Sequence, residues 1–330
     1  MIDRPRTRPP ASMLAEHATA LHTPFPALVA ALRTAALEMA RGELASPPRQ
    51  VVPLPHDGAL LSMVATAIDI AVHKLVSVVP SNKERGLPTV QGHVDVIDSR
   101  TGEPLLRLEA ATLTGRRTAA LSMLGIETFM AEPPGRVLVI GTGAGALHHV
   151  MALRALHPAA RIDILGRTHE ATERFCAAHH FQGAQVAGHA DAPTLANAVY
   201  AHALHPVARV QDSTADVVIT CTTSRVPVYA QPPSPARLVI ATGAWQAHAA
   251  EIHPALVRAS RCYVDEGVGA HHEAGDLVCA EVDWATVTAL QDVLAGEASR
   301  PQPGEAVLFK TVGCAAWDLA GARVALATAA

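Results

Sequence analysis

Three glycines, Gly141, Gly143 and Gly145, stand directly after the apolar run 137–140 and before a stretch, 146–156, that holds neither Gly nor Pro. Strand, glycine turn and helix in that order suit a pyrophosphate. The turn is tight, the backbone can approach the phosphates, and helix-terminal N–H groups face the anion. The spacing is G-x-G-x-x-A, with Ala144 inside it and Ala146 in the third small position. A second apolar run, 161–165, ends in Leu165-Gly-Arg-Thr168. An acidic residue there would grip a ribose 2′-hydroxyl. An arginine stands there instead, and a guanidinium pairs bidentately with a phosphate. The residues therefore point to NADP(H) over NAD(H), with Arg167 and Thr168 on the 2′-phosphate. The plainer alternative is a surface arginine beside an NAD(H) site.

Other residues invite chemistry. The run 217–220 leads into Thr220-Cys-Thr-Thr-Ser224, which sets Thr222, Thr223 and Ser224 at the carboxyl end of a strand, where open α/β sheets bind ligands. Thr242-Gly-Ala-Trp245 closes the run 238–241 in the same layer. Lys74 sits among apolar neighbours in Ala-Val-His-Lys-Leu-Val-Ser-Val-Val. It either snorkels to water from an edge strand or lines a polar cavity. Arg116 and Arg117 fall in the first turn of a helix read over 114–124 with Thr114 as its cap. A cation is disfavoured at that end unless an anion binds nearby; two solvated arginines are the alternative.

The elements that must position these groups divide in two. Residues 1–22 read as irregular. Residues 24–41 read as an amphipathic helix, with Leu28, Ala31, Leu32 and Ala35 on one face and Gly42 ending it. Strands are expected over 59–65 and 70–79, a turn-rich loop over 81–88, and a hairpin over 89–97 and 104–110 with Gly102 in its turn. The composition then shifts to alternating strands and helices, which marks a boundary near 120–133. Strands are expected at 137–140, 162–165, 186–187, 217–220, 238–241 and 262–265. Helical connectors lie between several of them, one over 191–203 with Asp191 as N-cap and Pro193 in its first turn. The fold class is α/β: a doubly wound Rossmann sheet plus an α+β domain. A long Ala-rich helix closes the chain.

Composition excludes several classes. The 330 residues allow two domains, and 49% hydrophobic content is ample for two cores. A net charge of −4 leaves no footprint for nucleic acid. No apolar run reaches membrane-spanning length. Arg4, Arg6 and Arg8 lie in a Pro-rich leader with no apolar run behind them, so a frayed tail is expected rather than a targeting peptide. Cys176, Cys221, Cys262, Cys279 and Cys314 are odd in number without a C-x-x-C, as free thiols of a reducing cytoplasm would be. Histidine is frequent, at 18, and occurs in pairs such as His148-His149, His179-His180 and His271-His272. Adjacent helical residues diverge, so no metal site is expected.

Taken together, the motifs resemble the ornithine cyclodeaminase/mu-crystallin family. The matching segments are Lys74-Leu-Val, Pro80-x-Asn82, Gly86-Leu-Pro, Leu113-Thr-x-x-Arg-Thr-Ala-Ala120, Ile140-Gly-Thr-Gly-Ala, Thr220-x-Thr-Thr-Ser, Val264-Asp, Glu273-Ala-Gly-Asp276 and Phe309-Lys-Thr-Val-Gly313. Their order and spacing carry the likeness, and only the N-terminal tail falls outside it. The resemblance implies a substrate-binding and dimerisation domain from residues 1–125 and 306–330, a Rossmann domain over 126–305, and a homodimer. It implies that Arg49, Lys74 and Arg117 hold the carboxylate of a small amino or imino acid. Such a lysine can also move protons. It further implies that Thr89, Ala144, Gly145, the segment 239–242 with Ala241 and Thr242, and Thr311 border the nucleotide. Cyclodeaminases of this family resemble one another in a Gly-Gly-Asp after the fifth strand; Gly243-Ala-Trp245 lacks that aspartate. Met63-Val64 likewise departs from a common Met-Pro. The pattern looks most like bacterial reductases of Δ1-pyrroline-2-carboxylate and Δ1-piperideine-2-carboxylate. Alanine dehydrogenase-like, opine-type or cyclodeaminase chemistry, or a non-catalytic binder, are the alternatives.

Overall fold

The computed structural model describes residues 12–55, 58–179, 204–210, 214–235 and 237–329. They form two units, Met1–Arg117 with Cys314–Ala330, and Thr118–Gly313.

The first unit runs β1 (Ser12–Leu14), α1 (Glu16–Leu21), α2 (Phe25–Ala40), β2 (Gln50–Leu54), β3 (Gly58–Thr66), β4 (Ile70–Val78), β5 (Val90–Asp98) and β6 (Pro104–Glu109), and then enters α3 (Ala110–Phe129). The strands make one sheet in the order β1-β6-β5-β4-β3-β2. All pairs are antiparallel except β1 with β6. Residues 12–22, expected to be irregular, are ordered into β1 and α1. The reason is the edge of β6, which β1 covers, and Thr19, whose hydroxyl donates to Leu14 O at 3.0 Å and accepts from Glu109 N at 3.2 Å. In α2 the apolar stripe does what its period dictates: Leu28, Leu32 and Ala35 are buried.

β4 lies between β3 and β5, so Lys74 is not on an edge strand. Burial alternates along β4, and Lys74 shares the inner face with Ile70, Val72 and Val76.

Helix α3 starts four residues before the expected cap. The Glu109 carboxylate at the end of β6 accepts from Ala111 N at 2.9 Å and Thr112 N at 2.7 Å, and so caps the helix from the strand. Thr114 is therefore inside the helix, and Arg116 and Arg117 are beyond its first turn. Neither arginine is solvated; both are buried. Arg116 donates to Thr23 O at 2.9 and 2.8 Å and lies over the Phe25 ring at 4.1 Å, tying α3 to the start of α2.

The second unit contains β7 (Arg136–Ile140), α4 (Ala144–Leu156), β8 (Arg161–Leu165), α5 (His169–Ala178), β9 (Leu204–Pro206), β10 (Val217–Thr220), β11 (Leu238–Ala241), α6 (Pro254–Arg258), β12 (Arg261–Val264), α7 (Gly267–Glu273), α8 (Gly275–Cys279), β13 (Thr288–Ala289), α9 (Leu290–Ala295) and β14 (Val307–Lys310). Among the described residues its eight strands are parallel, in the order β13-β12-β14-β11-β10-β7-β8-β9. The central strands β10, β11 and β14 are buried at every residue, as a sheet covered on both faces requires.

Two boundaries differ from expectation. Residues 306–313 belong to the second unit, because β14 is not a return to the first domain but a strand inserted between β11 and β12. Residues 118–125 belong there too. At Gly125 an added Cβ would lie 2.6 Å from the Phe309 ring, and Phe129 packs on Tyr263 and Phe309 with ring centroids 4.4 and 5.2 Å apart. The division thus falls inside α3, where no turn signal marks it. The expected strand at 186–187, the connector 191–203 with Asp191 and Pro193, and Arg4, Arg6 and Arg8 lie outside the described residues.

The last helix, α10 (Ala315–Ala329), packs on α2, β3 and β4 of the first unit. It is buried on nearly every side, consistent with its apolar circumference. Among the described residues no helix is long and apolar enough to cross a membrane.

Candidate active site

Burial of a lone lysine demands a partner, and Lys74 has two. Its Nζ donates to Thr114 Oγ1 at 2.6 Å and to the Asp318 carboxylate at 3.1 and 3.2 Å. Lys74 is 3% exposed and Asp318 is fully buried. Thr114 is committed as an acceptor, because its own hydroxyl donates to Ala110 O at 2.6 Å. Arg117, buried one turn along α3, places Nε 3.4 Å from Asp318 Oδ1. Burial pulls the Lys74 amine down to about 8; Asp318 opposes this, while Arg117 and Arg49 reinforce it. Arg49 is half-buried in the segment before β2 and makes itself felt at Lys74 through its charge. The first unit thus gathers all three expected carboxylate-binding cations. Lys74 and Arg117, both buried, lean on the single carboxylate of Asp318. That imbalance suits a further anion.

Asp318 was not expected from its sequence. The signal was present: it is the one acid in an Ala-rich helix, as Lys74 is the one lysine in a strand rich in apolar residues.

In the second unit the glycine turn has the shape its spacing requires. Gly141 has φ +137°, and a Cβ there would meet Cys221 O at 3.0 Å. Gly143 is the N-cap of α4; nothing lies within 4 Å of where its Cβ would point, and no side chain caps the helix. Gly143 and Ala144 are exposed, Gly145 is half-buried and Ala146 is buried against the sheet. The first turn carries no acid. An exposed, uncapped helix start behind a tight turn accommodates a phosphate pair, so the residues fit a dinucleotide.

The turn is buttressed from behind. His149 is buried on α4, with Nδ1 2.7 Å from Gly145 O and Nε2 2.9 Å from Ser122 Oγ of α3. Burial lowers its pKa to about 4, so the ring is neutral near neutral pH.

At the end of β8, Arg167 and Thr168 are both exposed. Thr168 is also the N-cap of α5, accepting from Ala171 N at 3.2 Å. The acid in β8, Asp163, is buried mid-strand on Arg161 and Arg136 at 2.9 and 3.3 Å, away from the strand end.

The hydroxyl run after β10 is largely occupied by a buried carboxylate. Glu251 accepts from Thr220 Oγ1 at 3.0 Å, Thr222 N at 2.7 Å, Thr222 Oγ1 at 2.8 Å and Gly243 N at 2.6 Å. Gly243 must be glycine, since a Cβ would meet Thr222 O at 2.2 Å. Asp276 holds Glu251 in turn, accepting from Glu251 N and Ile252 N at 2.6 and 2.8 Å. Lys310 stands 2.9 Å from Asp276. Burial pushes the Glu251 carboxyl up, and Lys310 opposes that shift. Ser224 Oγ donates to Val226 O at 2.7 Å, and Thr223 is exposed. Thr242 Oγ1 donates to Thr220 O at 2.9 Å; Thr311 is buried and its N–H donates to Ala241 O at 3.0 Å. In the first unit, Thr89 is half-buried and its carbonyl accepts from Val79 N at 2.8 Å. Asp265 accepts from Val312 N and Gly313 N at 3.0 and 2.8 Å, fixing the segment after β14. Glu251 and the Asp276–Lys310 pair were not singled out from sequence as a network. Among the described residues, no three His, Cys, Asp or Glu side chains are grouped for a metal ion.

Known proteins resemble this chain in sequence and in fold. A Δ1-pyrroline-2-carboxylate/Δ1-piperideine-2-carboxylate reductase of Azospirillum brasilense is 46% identical over 307 residues, 93% of this chain and 92% of that protein. A Δ1-pyrroline-2-carboxylate reductase of Burkholderia ambifaria is 46% identical over 319 residues, covering 97% and 96% of the two chains. The solved structure of a Thermococcus litoralis Δ1-pyrroline-2-carboxylate reductase in complex with NADH and L-proline matches with a TM-score of 0.82, over 96% of this chain and 97% of that one. At 22% identity that likeness speaks to fold. The family model for the ornithine cyclodeaminase/mu-crystallin family matches residues 11–329, and the chain belongs to that family.

Proposed function

We propose that this protein reduces a cyclic ketimine carboxylate, Δ1-pyrroline-2-carboxylate or Δ1-piperideine-2-carboxylate, to L-proline or L-pipecolate with NADPH. The observation that carries the reading is the Lys74–Arg117–Asp318 cluster. Two buried cations share one carboxylate, with Arg49 adding its field. A second carboxylate, that of the imino acid, restores the balance of charge there. The 46% identity to two reductases of these substrates agrees with it.

The nucleotide, when bound, supplies the hydride that the imine carbon accepts. The chain's own residues bind and orient. Arg49, Lys74 and Arg117 hold the substrate carboxylate, and Lys74 bears a proton at Nζ. Gly141, Gly143, Ala144, Gly145 and Ala146 receive the pyrophosphate. Thr222, Thr223, Ser224, Ala241, Thr242, Thr89 and Thr311 line the nucleotide. Of these, Thr222 and Thr242 act from positions fixed by Glu251 and Thr220. Preference for the 2′-phosphorylated dinucleotide rests on Arg167, exposed at a strand end without an acid. A homodimer through the first unit is supported by β2, an edge strand on which Val51 and Val52 are 48% and 54% exposed.

The test is direct. Purified protein is mixed with NADPH and each ketimine, and absorbance at the nicotinamide band is followed. Loss of absorbance with formation of L-proline or L-pipecolate is expected; no loss with either ketimine sinks the reading. Lys74→Met is expected to lower turnover by well over about tenfold. Incubation with ornithine, where Gly243-Ala-Trp245 lacks the cyclodeaminase aspartate, is expected to give no proline.

A further inference from the structure

The chain has only three lysines, Lys74, Lys83 and Lys310, against 23 arginines. Two of the three are buried on carboxylates. An arginine could supply the charge at position 74 but could not release a proton. The choice of lysine there is therefore about proton transfer as well as charge.

The geometry says where that proton is. An ammonium has three N–H donors. Thr114 Oγ1 takes one at 2.6 Å, and Asp318 takes another through both oxygens at 3.1 and 3.2 Å. Both partners accept only: Asp318 as a carboxylate, Thr114 because its hydroxyl proton is given to Ala110 O. One tetrahedral vertex of Nζ remains for the substrate, whose carboxylate and ring nitrogen are both bonded to C2 and share it. It carries an N–H when Lys74 is charged and a lone pair when it is neutral. The two fixed contacts survive either state, so the vertex changes character without the side chain moving.

We infer that Asp318 is a positioning residue, which with Thr114 aims the third vertex of Lys74 Nζ and keeps it protonated as the proton donor of the ketimine reduction. This rests on the activity proposed above. In the step, one Nζ–H bond breaks as one N–H bond forms on the ring nitrogen. The electron pair of the new C–H bond arrives with the hydride from NADPH, which leaves as NADP+. Neutral Lys74 then recovers a proton from water. The charged groups that act on Nζ are Asp318 from α10, Arg117 from α3 and Arg49 from the segment before β2. Asp318 is the one anion among them, so its loss leaves two cations to expel the proton.

The test compares wild type, Asp318→Asn, Asp318→Glu and Thr114→Val. In wild type, kcat/KM is expected to fall on an alkaline limb near the Lys74 pKa of about 8. In Asp318→Asn that limb moves down by about one pH unit or more. There kcat near neutral pH drops about tenfold or more while KM for the ketimine changes much less. Asp318→Glu restores the limb. A uniform loss of rate with the limb unmoved means a structural role only, and overturns the inference. A second readout needs no turnover. With lysine labelled at the side-chain 13Cε, the protein gives three signals, and the one lost in Lys74→Met is that of Lys74. That signal is expected to titrate near 8 in wild type and lower in Asp318→Asn; an unshifted titration overturns the inference even if the enzyme is inactive on ketimines. Should Asp318→Asn fail to fold, Thr114→Val decides. A fall in kcat of about tenfold with the alkaline limb in place supports the aimed vertex, and an unchanged kcat overturns it.

Discussion

Lys310 Nζ and Asp276 Oδ2 stand 2.9 Å apart, and neither side chain is reached by solvent. Through the other oxygen of Asp276 the pair holds the backbone of Glu251, and through Glu251 it holds Thr220, Thr222 and Gly243. One strand lysine thus governs the loops at the ends of β10 and β11. Lys310→Met strands buried carboxylate charge and is expected to destabilise the protein by about 3–5 kcal/mol. The midpoint of urea unfolding reports this, and a midpoint equal to wild type would show that the pair carries no such weight.

Arg167 is proposed as the residue that discriminates between the two nucleotides. Arg167→Ala removes a charge-assisted contact of about 1.5–3 kcal/mol, so kcat/KM with NADPH is expected to fall by about tenfold to a hundredfold. The value with NADH should stay within about threefold, because its ribose hydroxyl offers no phosphate to lose. Equal losses with both nucleotides would refute the assignment.

Arg117 is argued to grip the substrate carboxylate while leaning on Asp318. Arg117→Met is expected to raise KM for the ketimine by about tenfold to a hundredfold, the worth of one charged hydrogen bond. The KM for nucleotide should be unaffected. Steady-state kinetics with each reactant varied in turn separate the two, and a change confined to the nucleotide KM would remove Arg117 from the substrate site.

His149 sets an acid limit on the second unit. Its pKa is lowered from 6.5 to about 4 by burial. As pH falls through that window the unfolded chain takes up a proton that the folded one refuses. Stability contributed above 6.5 is therefore lost progressively, by up to about 3 kcal/mol. The thermal midpoint of wild type should drop more steeply between these pH values than that of His149→Gln. Parallel curves would mean that the ring does not control the acid limit.

Much of this was legible in the chain. The apolar runs and the glycine turn announced the parallel sheet because period and turn chemistry are local properties. Lys74 stood out for the same reason. Its partner did not, since Asp318 is 244 residues away and only folding brings them together. Glu251 was invisible because an acid in an aperiodic loop looks solvated until the donors around it are counted. The start of α3 was misplaced because Glu109, at the end of a strand, is an unusual capping residue. The unit boundary inside α3 left no mark, because a helix can cross from one core to another without a break in its pattern.

β14 completes the parallel sheet from its middle, with β11 on one side and β12 on the other. α10, made after β14, fills the interior of the first unit against β3, β4 and α2. Synthesis therefore delivers two unfinished halves. Neither can close before residues 307–325 are made, although domains usually fold as they emerge from the ribosome, N-terminal first. A nascent chain of this protein therefore carries two incomplete cores until residues 307–325 have emerged.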